Sequence, residues 1–149
     1  MPNSEVVYLN GKYSPKYQTT LSILDRGFLF GDGVYELIPV YNKHIFYIKD
    51  HLTRLKSSLE SINIDPSLVD DDEFIKIINS LIELNDYVNH YIYIHISRGV
   101  DKKRNHIYSK NCEPTILIMG ENYKPFDKST IEHGKKAIIE DDYRWLKSN

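Results

Sequence analysis

Between Tyr91 and Ser97 the chain alternates without exception, with Ile92, Ile94 and Ile96 on one side and Tyr91, Tyr93, His95 and Ser97 on the other. A period of two, with β-branched residues confined to one side, predicts a strand with one face on a core and the other face away from it. A sheet with one buried face is therefore part of the fold, and the remaining elements have to supply its partners and its cover.

Partners are written on both sides of it. Val6 to Asn10 is a short apolar strand, and Asn10-Gly11 is a turn signal that returns the chain toward Tyr13 as a hairpin. Tyr17 to Ile23 is expected to be extended. From Val34 the period is again two, with Val34, Glu36, Ile38 and Val40 on one face and Tyr35, Leu37, Pro39 and Tyr41 on the other. Pro39 lacks a donor, which assigns this strand to an edge or a bulge. Asn42-Lys43 turns the chain into HIFYI, read as a second hairpin strand, and PTILIMG is a later strand able to pair back.

The cover comes from two helices. Asp50 is read as an N-cap, followed by Leu52, Leu55, Leu59 and Ile62 at helical spacing. His51 and Arg54 share a neighbouring face of that helix. Asp70 and Glu73 have capping-box spacing, and Phe74, Ile77, Ile78, Leu81 and Ile82 form a broad apolar face that ends at Asn85-Asp86. The sum is an α+β fold, a mainly antiparallel sheet with helices on one face. ENYKPFDKST is polar and aperiodic, and KKAIIE reads as one more strand with few partners. The expected organisation is a complete domain over residues 1–121, a linker over 122–130, and the start of a second, incomplete domain over 131–149.

Composition narrows the function classes. A net charge of −2 gives no global field for nucleic acid or an acidic membrane surface, and no apolar run is long enough to span a bilayer. One cysteine, Cys112, and an N-terminus without a charged-then-apolar leader fit a soluble cytoplasmic protein. The six histidines do not pair with one another or with Cys112 at a metal-ligand spacing, so no metal centre is expected.

The densest chemistry lies in DRGFLFGDGVYE, from Asp25 to Glu36, which reads as a shaped loop. Gly31 and Gly33 can take positive φ or admit a ligand close to the backbone. The pattern is no dinucleotide fingerprint, because the third glycine place is Glu36 and a strand follows instead of a helix. Asp25 and Arg26 are either site residues or a structural ion pair or loop cap. Arg54, on an early helical turn, suits an oxyanion such as phosphate, or is an ordinary solvated helix arginine. Tyr35 presents a hydroxyl to a ligand or is a half-buried strand tyrosine. Arg104 and His106 lie in a loop with Lys102, Lys103 and Lys110, which binds a carboxylate or phosphate or is simply solvated; only Tyr108 there offers a stacking platform for nucleic acid. The residues by themselves reach an anion-binding α+β domain.

Five stretches in order and register carry a resemblance: DRGFLFGDGVYE, HLTRL at 51–55, SRG at 97–99, RNH at 104–106, and DDYRWL near the end. Together they resemble the N-terminal part of the fold-type IV pyridoxal-phosphate enzymes, and most closely the D-amino acid aminotransferases. The resemblance implies that Arg54 holds the cofactor phosphate and that Tyr35, Arg104 and His106 clamp the substrate carboxylate. In the family the arginine-histidine loop reaches into the partner subunit, which implies a homodimer. It implies a parent reaction that moves an amino group from a D-amino acid to a 2-oxo acid.

Branched-chain aminotransferases and aminodeoxychorismate lyases share the DRG and GDGVYE region but generally lack the arginine-x-histidine clamp, so RNH is the discriminating feature. The family's Schiff-base lysine falls a short way beyond the arginine matched by Arg144, past Asn149. The expectation is a catalytically inactive N-terminal portion that does not bind pyridoxal phosphate by itself. The alternatives are a fragment of one of the two related enzymes, or a non-catalytic module that binds an anion or a partner.

Overall fold

Hairpin turns of two residues need positive φ at both positions, and the chain meets this demand in two ways. Asn10 and Gly11 sit at φ 45° and 86°, whereas Asn42 and Lys43 sit at 49° and 64° with no glycine to ease the second position. In a computed structural model of the chain, which describes residues 5–86, 88–123 and 127–141, these turns join β1 (Val6–Leu9) to β2 (Lys12–Pro15), and β3 (Gly33–Tyr41) to β4 (His44–Ile45). With β5 (His90–Ser97) and β6 (Thr115–Asn122) they form one antiparallel sheet in the order β2-β1-β6-β5-β3-β4.

The alternation in β5 is realised as read: Ile92, Ile94 and Ile96 are fully buried, and they join Ile38 and Val40 of β3, Ile118 of β6 and Tyr8 of β1 in a single core. Two helices close it. Leu52, Leu55 and Leu59 of α2 (Ile48–Ser61) and Phe74, Ile77, Ile78, Leu81 and Ile82 of α3 (Asp71–Asn85) supply the other half. Asp70 caps α3 by accepting from the Glu73 N–H at 2.8 Å, and Asp86 ends it in a left-handed conformation, both as the sequence predicts. The last residue of α3 then pins the helix to the far sheet strand: Asn85 donates to the Val6 carbonyl and accepts the Val6 N–H, at 3.0 and 2.7 Å.

Pro39 behaves as an edge residue. Its carbonyl accepts from Phe46 N–H on the side of β4, so its missing N–H also points to that side, where β4 pairs with Val40 and Tyr41 alone. From Gly33 to Leu37 the same edge of β3 has no strand beside it among the described residues, while the other edge pairs with β5 from Gly33 to Val40.

Four local expectations are corrected. HIFYI yields only a two-residue strand, because α2 begins at Ile48. Asp50 does not cap that helix; Tyr47 occupies the cap in a left-handed conformation and Asp50 sits in the first turn, where its charge still complements the helix dipole. Tyr17 to Ile23 holds a short 3₁₀ turn at Lys16–Gln18 and no strand. KKAIIE forms no strand either, since the described sheet ends on β2 and β4 and offers residues 135–140 no partner. The linker segment contains the start of a short helix, α3's successor α4 (Lys128–His133), capped by Asp127 accepting from Thr130 N–H. The expected match at Arg144 lies outside the described residues.

Candidate functional site

DRGFLFGDGVYE folds as a helical turn and not as an open loop. Asp25 caps α1 (Arg26–Phe30), and Gly31 ends it at φ 65°. Gly33 does not use positive φ; its role is close approach, because a Cβ there would lie 2.7 Å from the Ile96 carbonyl oxygen. The neighbour that needs the glycine is strand β5, not a ligand.

The charged residues of this stretch tie the fold together. Asp25 accepts from Gly27 N–H, from Ser97 Oγ and from Thr115 Oγ1, at 2.8, 2.7 and 2.7 Å, and so ties α1 to two strands. Arg26, 4% exposed, donates from Nε to Asp32, from Nη1 to the Asn105 carbonyl and from Nη2 to the His106 carbonyl. Arg98 donates to both oxygens of Asp32 and to the carbonyls of Ile62 and Asn63, with its guanidinium over the Tyr108 ring at 4.0 Å. Burial pushes the Asp32 carboxyl up, but the two guanidiniums outweigh it and hold it below the ordinary carboxylate range. Of the two readings left open for Asp25 and Arg26, the structural one describes what they do.

A second carboxylate–guanidinium cluster sits where α2 meets β3. Glu36 lies in the apolar row of β3 and is 3% exposed. It accepts from Arg54 Nε at 2.7 Å, from Arg54 Nη2 at 2.5 Å and from Leu37 N–H at 2.9 Å, and its Oε1 lies 3.1 Å from His51 Nδ1. Burial raises its pKa, yet Arg54, the Leu37 N–H and His51 reverse the sign and keep it below the ordinary value. Arg54 itself is 65% exposed, and among the described residues its Nη1 has no hydrogen-bond partner.

Tyr35 occupies the face of β3 opposite α2 and α3 and is 67% exposed, while α1 packs on the same sheet face at His95 and Ser97 of β5. Its ring stacks on Tyr93 at 5.9 Å, and the Tyr93 hydroxyl lies 3.1 Å from His95 Nδ1. Burial pushes the His95 imidazole down, against a smaller opposing pull from Asp25. Tyr35 and Arg54 therefore lie on either side of the unpaired Gly33–Leu37 edge of β3.

Arg104 and His106 sit elsewhere in the chain. Both lie against Phe30, with the Arg104 guanidinium 5.1 Å and the His106 ring 5.3 Å from the Phe30 ring centre. No hydrogen bond or ring contact joins either to Tyr35 among the described residues. Arg54, Tyr35 and the pair Arg104 and His106 thus have separate contacts among the described residues, to Glu36, to Tyr93 and to Phe30. No group of three or more His, Cys, Asp or Glu side chains is placed to hold a metal among the described residues, and no helix there is long and apolar enough to cross a membrane.

Sequence reasoning passes over Glu36, Asp32, Arg98 and the Tyr93–His95 pair. The signal for Glu36 is present, since a lone carboxylate in the row Val34, Ile38, Val40 has to find a cation or leave the core.

Comparison with known proteins places this geometry in a family. The model of the class IV amino-transferases matches residues 33–148. A D-alanine aminotransferase of Staphylococcus aureus (strain MSSA476) is 32% identical over 144 residues, covering 96% of this chain and 50% of that protein. One of Bacillus licheniformis is 32% identical over 141 residues, covering 95% and 49%. The chain thus spans about half the length of the curated relatives it matches. Among solved structures, the fold is shared with the Escherichia coli branched-chain amino acid aminotransferase, at TM-score 0.75 and 17% identity over 86% of this chain and 43% of that one. It is shared equally with the branched-chain aminotransferase of Thermoproteus uzoniensis, at TM-score 0.71 and 20% identity over 82% and 42%. The match over residues 33–148, more than half of the chain, identifies it as a member of the class IV aminotransferase family.

Proposed function

We propose that these residues are the N-terminal part of a pyridoxal-phosphate-dependent D-amino acid aminotransferase, acting on D-alanine-like amino acids and 2-oxo acids as a homodimer. Residues 1–121 form its small domain, 122–130 link it onward, and 131–149 open the cofactor domain. The observation that carries this reading is the arrangement around the free edge of β3, with a half-used guanidinium on one side and an exposed tyrosine hydroxyl on the other.

Arg54 fits the cofactor phosphate. Its guanidinium is exposed and held in one plane by Glu36, and it retains N–H donors for a doubly charged oxyanion. When bound, pyridoxal phosphate supplies an aldehyde that takes up the amino group and a ring that stabilises charge at the substrate Cα. Tyr35 donates its hydroxyl to the substrate carboxylate, and Arg104 and His106 of a second subunit complete the clamp. Fixing the carboxylate on one side leaves the α-hydrogen of one enantiomer aligned for removal. The family resemblance assigns this loop to a second copy; within one chain Arg104 and His106 lie against Phe30. The resemblance places the family's Schiff-base lysine beyond the arginine matched by Arg144 and past Asn149, so the 149 residues alone are expected to show no turnover.

The test is an assay of the complete product of the reading frame that encodes these residues, with D-alanine and L-leucine offered against 2-oxoglutarate. D-alanine turnover is expected, and preference for L-leucine contradicts the D-specific reading. Transaminase turnover by the 149-residue chain alone contradicts the division of the site. The likeness to branched-chain enzymes speaks to fold alone and leaves the substrate to this assay.

A further inference from the structure

We propose that Glu36 is a positioning residue whose task is to present Arg54 to an anion. The proposal rests on the reading of Arg54 as the phosphate holder and goes beyond it by assigning a second residue to the site.

A buried carboxylate has to be paired, but nothing requires its partner to be exposed. Here the contacts divide into two kinds. Leu37 N–H and His51 Nδ1 close on Glu36 from the strand edge and from the helix, at 2.9 and 3.1 Å. His51 Nδ1 lies 3.1 Å from Glu36 Oε1 and 3.3 Å from Arg54 Nη2, so it donates to the carboxylate in one tautomer and accepts from the guanidinium in the other. Arg54 contributes Nε and Nη2 as a two-pronged fork, while most of its side chain remains in solvent. The fork fixes the plane of the guanidinium and leaves the Nη1 edge directed away from the carboxylate. An arginine on an exposed helix turn without such an anchor samples many rotamers, and ordering it opposes ligand binding. Leu37 belongs to the free edge of β3, so Glu36 also fastens the guanidinium to the edge that Tyr35 flanks.

Two effects of Glu36 on an anion have opposite signs, and this makes the proposal decidable. Charge counting says that a carboxylate beside the site repels phosphate, so removing it tightens binding. Preorganisation says that removing it frees Arg54 and weakens binding.

The experiment is a titration of the complete product of the reading frame that encodes these residues with inorganic phosphate, followed by NMR at the arginine Nε–H signals. In the wild-type chain the Arg54 Nε–H is expected to exchange slowly with solvent and to shift saturably with phosphate. Free exchange of this proton overturns the proposal without any variant. Glu36→Gln is expected to weaken phosphate about tenfold and to return the Arg54 signal to the position of a solvated arginine. Unchanged or tighter binding in that variant overturns the proposal. Should Glu36→Gln fail to fold, Glu36→Asp keeps the charge and withdraws it by one methylene; weaker binding supports positioning, and equal or tighter binding refutes it. Arg54→Ala separates the two readings. If it binds phosphate like the wild type, or if the wild type shows no saturable shift, the assignment of Arg54 fails and the proposal with it. If Arg54→Ala loses binding while Glu36→Gln keeps it, the positioning role alone fails.

Discussion

Arg26 and Arg54 each meet a carboxylate through Nε at 2.8 and 2.7 Å, yet one is 4% exposed and the other 65%. Arg26 commits all three nitrogens to the protein, to Asp32 and to the carbonyls of Asn105 and His106, and Arg98 does the same with Asp32, Ile62 and Asn63. Arg54 commits two nitrogens to a single carboxylate and keeps the third. The difference is one of stoichiometry. A buried arginine with all three nitrogens engaged inside the chain holds loops together and presents no open edge to a ligand, whereas one anchored by a buried carboxylate and open on its far edge is already arranged for an oxyanion.

The comparison breaks first at Arg26. Replacing it with alanine leaves Asp32 with one cation and releases the 105–106 carbonyls, and the expected loss is about 3–5 kcal/mol, as for removing one partner of a buried pair. Urea denaturation measures it. A loss below about 1 kcal/mol would make Arg26 no more structural than Arg54.

Acid should weaken both clusters together. Asp32 and Glu36 are each held below their ordinary values, by two guanidiniums and by Arg54 with its neighbouring donors, against the upward push of burial. A carboxylate depressed in the folded state stabilises above the unfolded value and loses that contribution as pH falls through the folded one. Melting temperature is therefore expected to fall progressively below about pH 4, and to fall less steeply in Glu36→Gln, which lacks one of the two groups. Equal slopes would mean that Glu36 is not held as described.

Arg54→Ala should cost less than Arg26→Ala, about 1–2 kcal/mol, because Arg54 is mostly exposed and the Leu37 N–H still serves Glu36. Smallest of all is Tyr35→Phe. At 67% exposure its hydroxyl touches no core group, so a stability change within about 0.5 kcal/mol is expected in a thermal melt.

How much of this could be read beforehand follows from how local each interaction is. The strict alternation of β5, the edge position of Pro39 and the Asp70 cap are fixed by neighbours in sequence, and the fold reproduces them. Arg54 and Tyr35 are recognisable for the same reason, as residue types on definable faces. Their surroundings are not. Asp25 meets Thr115 and Arg26 meets His106 across 90 and 80 residues of sequence, and no periodicity announces such pairings. The strand expected at 135–140 misleads for the converse reason, since its apolar pattern is local but a strand needs a partner that the described sheet does not provide. Glu36 stands between these cases. Its place in an apolar row demands a cation, and only the packing of α2 on β3 reveals which one.

The most direct measurement follows the Nε–H signals of Arg26, Arg54 and Arg98 together while inorganic phosphate is added to the complete product of the reading frame. The structure predicts a saturable shift at Arg54 with Arg26 and Arg98 unmoved. A still Arg54, or three arginines moving in parallel, would contradict the division between arginines that hold the fold and the one that is open to an anion.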